Sequence, residues 1–186
     1  MFEPLAIMLL PVLFLVVLFG GGEQFRRRNI DMGGESPIDK RIFLTSKYAI
    51  LLLWAAMVLH GWGISFSFVK VPEILKGVSF WLWVSGFTIM FAGRLGLGNS
   101  FRIGSPKEST HLKVDGLFRF SRNPMYLGVY ATLLASVLNT LNPILFLVGT
   151  FIVVIHHKIV LAEEQYLLKA FSEQYENYCS RVRRYL

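Results

Sequence analysis

The chain has 186 residues, of which 54% are apolar and only 17% charged, with a formal net charge of +7. That length suits one domain, but a mean hydropathy of +0.51 with apolar runs of 17 or more residues exceeds what a water-soluble core of this size needs. The bases lie between apolar runs, which argues against nucleic acid and for bilayer orientation or contact with anionic lipid; the single Cys179 excludes an intramolecular disulfide.

In chain order, the first apolar run, 5–19, lacks a basic leader and a small-residue cleavage site, so it reads as a transmembrane helix rather than a signal peptide. The second, 48–64, contains one ionisable residue, His60, read as a helix-contact residue. The third, 77–93, is rich in aromatics and stops at Arg94, a charge placed to snorkel or to face an anion. The stretch from 125 to 155 is too long for one span. It is broken by Asn139-Thr140-Leu141-Asn142-Pro143, turn chemistry with a proline placed to start a helix, so two antiparallel helices are expected. The expected fold is therefore all-α and polytopic, one membrane domain with spans of about 3–19, 48–64, 75–94, 124–139 and 142–162. Residues 162–184 carry Tyr166, Leu167, Ala170, Phe171, Tyr175 and Tyr178 at helical spacing, an amphipathic C-terminal helix. Gly20-Gly21-Gly22 and Met32-Gly33-Gly34 predict a flexible first loop.

Orientation follows from the bases. With five spans, Arg26, Arg27, Arg28, Lys40, Arg41 and Lys47 fall in the first loop, Arg94, Arg102, Lys107, Lys113, Arg119 and Arg122 between the third and fourth spans, and Lys158, Lys169, Arg181, Arg183 and Arg184 after the fifth. Those seventeen share one side, against Lys70 and Lys76 on the other. Basic loops stay cytoplasmic, so the N-terminus is expected outside and the C-terminus inside.

Residues 98–124 form a connection far longer than a link between spans requires, and a long loop mixing bases and aromatics usually binds something. It holds His111, Asp115 and Gly116-Leu117-Phe118-Arg119, followed by Arg122-Asn123-Pro124-Met125-Tyr126-Leu127-Gly128; Glu163-Glu164-Gln165-Tyr166-Leu167 comes some forty residues later. Read from residue chemistry alone, Tyr126 also suits an interfacial anchor, and the two glutamates a solvated helix face paired with Lys158 or Lys169. His156 and His157 near those glutamates show no metal-ligand spacing, and no metal is expected.

This ordered set resembles the membrane methyltransferases that include isoprenylcysteine carboxyl methyltransferase and the phospholipid N-methyltransferases, whose pattern is Gly-x-aromatic-Arg, Arg-His/Asn-Pro-x-Tyr-x-Gly, a helical hairpin and Glu-Glu-x-x-Leu. The resemblance covers roughly 94–186 and is closest to the short prokaryotic and archaeal members. It implies S-adenosyl-L-methionine as methyl donor and a lipidic or prenylated substrate entering from the bilayer, with carboxyl methylation of a prenylcysteine-like acceptor expected first and amine methylation of a phospholipid second. By matching position, it implies that His111, Leu112, Lys113 and Val114 line the donor, Leu117 and Phe118 pack near adenine, and Asn123, Pro124, Met125 and Tyr126 meet it where the fourth helix begins. Glu163, with Glu164 beside it, would pair with its ammonium group. Arg94 or Arg122 would orient a carboxylate acceptor, whereas an amine acceptor would call on Glu163, Glu164 or His111 to take a proton. Ile159 stands where the eukaryotic prenylcysteine enzymes carry arginine, and Asn123 leans toward the phospholipid branch. Two readings of other classes stay open: an NADPH-dependent reductase like the membrane sterol reductases, and a non-enzymatic scaffold for acidic lipids.

Overall fold

The structure is a computed structural model that describes residues 2–20, 35–102 and 111–186. Among the described residues there are five α-helices: α1 (Phe2–Phe19), α2 (Lys40–Gly61), α3 (Glu73–Leu97), α4 (Pro124–Thr140) and α5 (Pro143–Cys179). Helices α2, α3 and α5 are long and apolar enough to cross a membrane; the apolar part of α1, Pro4–Phe19, and the 17-residue α4 are shorter. At 1.5 Å per residue α4 still extends about 25 Å. Leu9, Val12 and Val16 on α1, Ile74, Val78 and Trp81 on α3, and Ile144, Leu147 and Phe151 on α5 are exposed. Apolar surface on that scale suits lipid rather than water, and the protein is an all-helical, polytopic membrane protein. The expected first-loop glycines Gly21, Gly22, Gly33 and Gly34, with Met32, the bases Arg26, Arg27, Arg28 and Lys107, and residues 103–110 of the long loop lie outside the described residues.

The helix ends follow local chemistry more closely than they follow hydropathy. Helix α2 starts at Lys40, eight residues before the apolar run, because the Asp39 side chain accepts hydrogen bonds from the Arg41 and Ile42 amides at 3.0 and 3.2 Å. The α4–α5 turn has Leu141 in the left-handed region (φ 42°), and Asn142 caps α5 by accepting from the Ile144 and Leu145 amides at 2.9 and 3.2 Å. Its Nδ2 donates to the Phe66 carbonyl at 2.8 Å, which ties the α2–α3 connection to this end of the bundle.

One expectation needs correction. The C-terminal helix does not begin at 162: α5 runs on from Pro143 to a kink at Ser172 (φ 43°), a second helical piece follows as far as Cys179, and residues 180–184 are not helical. A helix need not end where its sequence turns polar, since its backbone hydrogen bonds are indifferent to that change.

Two features hold the bundle. Pro11 lies inside α1 and offers no N–H to the Ile7 carbonyl one turn earlier; Trp83 Nε1 of α3 donates to that oxygen at 3.1 Å. Trp83 also meets Trp54 and Phe87 at ring-centroid distances of 6.4 and 4.9 Å, at the centre of the core. Helices α3 and α4 run antiparallel and touch backbone to backbone at Gly86 and Gly128, where an added Cβ on Gly86 would lie 2.7 Å from the Gly128 carbonyl oxygen. Ser79 Oγ donates to the Ala135 carbonyl along the same seam at 2.7 Å. This seam fixes where α4 begins, and so where the Arg122–Tyr126 corner sits.

Candidate functional site

Pro124 opens α4, as its fixed φ and missing N–H favour. The preceding Asn123 makes no side-chain cap, and the first backbone bond returning to it comes from Leu127 at 3.3 Å. The Met125 and Tyr126 amides therefore lie in the first turn, where a helix provides no acceptor of its own.

Just before this corner, the chain is knotted to the C-terminal tail. The Arg122 guanidinium donates to Glu164 Oε1 from Nε at 3.1 Å and from Nη2 at 2.9 Å, and to the Cys179 and Val182 carbonyls from Nη1 at 3.4 and 3.1 Å. Arg184 holds the other Glu164 oxygen at 2.9 Å through Nε and 2.8 Å through Nη2. That bond to Glu164 pushes the Arg184 guanidinium further up from its ordinary value. Asn123 Nδ2 donates to Glu164 Oε1 at 3.4 Å and to the Arg184 carbonyl at 3.1 Å. The Arg122 amide bonds to the Arg183 carbonyl at 3.0 Å, and Tyr178 Oη donates to the Phe118 carbonyl at 2.6 Å. Glu164 is thus not paired with Lys158 or Lys169 on its own helix but with two arginines distant in sequence.

Glu163, one residue earlier, has a different setting. It accepts one hydrogen bond, from Tyr126 Oη at 3.0 Å, and faces a cavity of ≈ 500 Å³. One wall of the cavity is apolar, with Phe14, Leu18, Leu44, Leu51 and Trp54; the polar part is formed by the loop after α3, the α4 corner and α5.

Of the residues expected at the site, His111, Leu112, Lys113, Phe118, Arg122, Asn123, Pro124, Met125, Tyr126, Glu163 and Glu164 line this cavity. Three do not line it. Val114 is exposed at 41% and Leu117 faces a separate small pocket with Gly116 and Arg119. The 3₁₀ turn Gly116–Arg119 sends Phe118 inward and leaves its neighbours outside. Arg94 is buried at the end of α3, donates to the Gly98 carbonyl at 3.2 Å and stacks 4.6 Å from the Phe101 ring. Lys113 lies 3.0 Å from Asp115, and that hydrogen bond holds the Asp115 carboxyl below its ordinary range.

Sequence reasoning missed Lys47, His156 and Arg184. Lys47 and His156 line the cavity, whereas Arg184 completes the knot around Glu164. Lys47 was counted as a loop base, although a lone lysine a few residues into a helix whose remainder is apolar is itself a signal of function. His157, beside His156, instead meets Tyr185 Oη at 2.9 Å.

A sequence model of the phospholipid methyltransferase family matches residues 68–174. Over 89 residues the chain is 33% identical to the protein-S-isoprenylcysteine O-methyltransferase of Saccharomyces cerevisiae, a match that covers 46% of this chain and 37% of the yeast protein. The chain thus spans little more than a third of that relative's length. The matched residues 68–174 make up more than half of the chain and contain the loop after α3, the Tyr126 corner and both glutamates, and the protein belongs to the phospholipid methyltransferase family.

Proposed function

We propose that this protein is a membrane methyltransferase that uses S-adenosyl-L-methionine to methylate a lipidic acceptor, with the carboxylate of a prenylcysteine-like molecule as the first choice. The observation that carries this reading is the Tyr126–Glu163 pair, joined at 3.0 Å and opening on a cavity that is polar on one side and apolar on the other. Family membership and the named yeast relative support it.

The residues fit the proposed donor. Glu163 offers a carboxylate to its ammonium group, and the first-turn amides of Met125 and Tyr126 offer donors to its carboxylate. His111, Leu112 and Phe118 provide the loop-side wall. When bound, the donor supplies a methyl group already activated on a positive sulfur. The protein's task is then to align the acceptor, keep water out and leave the donor's charges matched. A carboxylate acceptor carries no proton on its attacking oxygen, so none of these residues would have to act as a base. Arg122 lends its charge to the closed corner rather than to the substrate, because Glu164 and two carbonyls take up its donors.

A second reading, amine methylation of a phospholipid, is favoured by Asn123 and by the family description. It requires a proton acceptor, for which Glu163 is the nearest group on the cavity wall. Under either reading the donor comes from the cytoplasm and the acceptor from the bilayer, with the N-terminus outside and the C-terminus and basic loops inside. Incubating the protein with methyl-labelled donor, a prenylcysteine analogue and a lipid extract tests the proposal. Label in the prenylcysteine is expected, label in the phospholipid installs the second reading, and label in neither removes both. Saturable S-adenosylhomocysteine binding is expected; NADPH binding in its place would indicate the reductase reading, and binding of neither a scaffold.

A further inference from the structure

We propose that Lys47 of α2 and His156 of α5 form the receptor for the acceptor's anionic group, with the lysine ammonium holding a carboxylate and the histidine ring giving it a hydrogen bond. This rests on the function proposed above and adds positioning residues to it; Lys47 lies outside the residues that match the family.

Lys47 occupies an unusual place for a cation. Phe43, Leu44, Ile50 and Leu51, its neighbours within one turn on α2, line the same cavity. Its ammonium lies 4.9 Å from the centre of the Phe43 ring and 5.7 Å from that of Tyr126. Among the described residues no carboxylate comes within 4.0 Å of it, and the Glu163 carboxylate nearby is held by Tyr126. Its electrostatic partner is Glu163, which lies beyond 4.0 Å and already accepts from Tyr126, so a cation set among apolar side chains gains from a closer anion brought by a ligand.

His156 is the second, independent observation. It is 1% exposed, lines the same cavity, and neither ring nitrogen has a hydrogen-bond partner. A buried imidazole leaves such groups unsatisfied at a penalty unless a ligand meets them. It meets the Tyr126 ring edge-on, at a centroid distance of 5.3 Å, so lysine and histidine both border the ring of the residue that bonds Glu163.

The other arginines considered for this role are committed elsewhere, Arg122 to Glu164 and Arg94 at a position off the cavity. The apolar wall beside Lys47 accommodates a hydrocarbon tail, which leaves an anionic head at the lysine. A carboxylate gains there, whereas an ammonium acceptor meets a like charge.

The test uses the full chain in detergent with S-adenosylhomocysteine present, and compares binding of N-acetyl-S-farnesylcysteine with that of its neutral amide by calorimetry. The wild type is expected to prefer the carboxylate by about tenfold to a hundredfold, the range of a charge-assisted hydrogen bond. Lys47→Met should abolish that preference by weakening only the carboxylate, Lys47→Arg should restore most of it, and His156→Leu should reduce it a few-fold while His156→Gln keeps it. In methyl-transfer assays Lys47→Met should raise KM by the same factor with a smaller change in kcat. S-adenosylhomocysteine affinity should stay within twofold in every variant. A wild type without preference, or a preference that survives Lys47→Met, overturns the proposal, as does a parallel loss of S-adenosylhomocysteine affinity, which would assign Lys47 to the donor. Methyl transfer with an unchanged preference in Lys47→Met sinks this inference alone, whereas a Lys47-dependent preference without any methyl transfer sinks the proposed reaction alone.

Discussion

Glu163 and Glu164 are neighbours in sequence on one helix, yet they belong to different regions with opposite logic. Glu164 lies in a closed corner where Arg122, Arg184 and Asn123 use up its oxygens. Its side chain is 12% exposed and that of Arg122 11%. Glu163 borders an open cavity and has a single bond from a tyrosine. The saturated carboxylate locks the loop after α3 to the C-terminal tail, while under the proposed function the unsaturated one meets the donor. The contrast teaches that adjacent glutamates on one helix can have opposite settings, one closed by ion pairs and one open to a cavity.

The largest test of that division is Glu164→Ala. It strands the half-buried Arg122 without its counter-charge, a loss of about 1–3 kcal/mol. The thermal unfolding midpoint in detergent should fall by several degrees, and a midpoint equal to the wild type would mean that the corner is not structural. Glu163→Gln should do the reverse. Calorimetry should show S-adenosylhomocysteine bound about tenfold to a hundredfold more weakly, the worth of one charge-assisted contact, with the midpoint nearly unchanged. A variant that unfolds early but binds normally would merge the two glutamates into one role. Tyr126→Phe comes next. It removes one hydrogen bond and keeps the ring against His156, so affinity should drop by roughly twofold to tenfold.

Much of the frame was legible in the residues, and the reasons are local. Asn142 and Pro143 specify a turn and a helix start whatever lies around them, and Pro124 does the same for α4. The meeting of Tyr126 with Glu163 follows from the resemblance, since the hairpin α4–α5 returns the second residue beside the first. The partners of Glu164 were not legible. Arg184 reaches it only because the chain turns back after Cys179, beyond a break at Ser172 in a conformation that serine rarely adopts. Lys47 was obscured because counting charges by loop assumes that a base near a span end is in water. That assumption fails where the helix starts early, and Asp39 moved the start to Lys40.

The loop after α3 gives the finest test, because adjacent residues there divide between the two environments. Leu112 and Lys113 line the cavity, whereas Val114 is exposed at 41% and makes no part of its wall. The resemblance treats all of them as donor-lining, but the wall made by His111, Leu112 and Lys113 stops before Val114, where the chain turns outward ahead of the Gly116–Arg119 turn. Val114→Ala should therefore leave S-adenosylhomocysteine affinity within about twofold, since an exposed substitution away from a buried contact shifts energies by roughly 0.5 kcal/mol or less. Leu112→Ala, measured beside it, should weaken binding by a larger factor. If the two variants lose affinity equally, the loop must close over the donor in a register that brings Val114 inward, and the boundary of the open region has to be redrawn to include it.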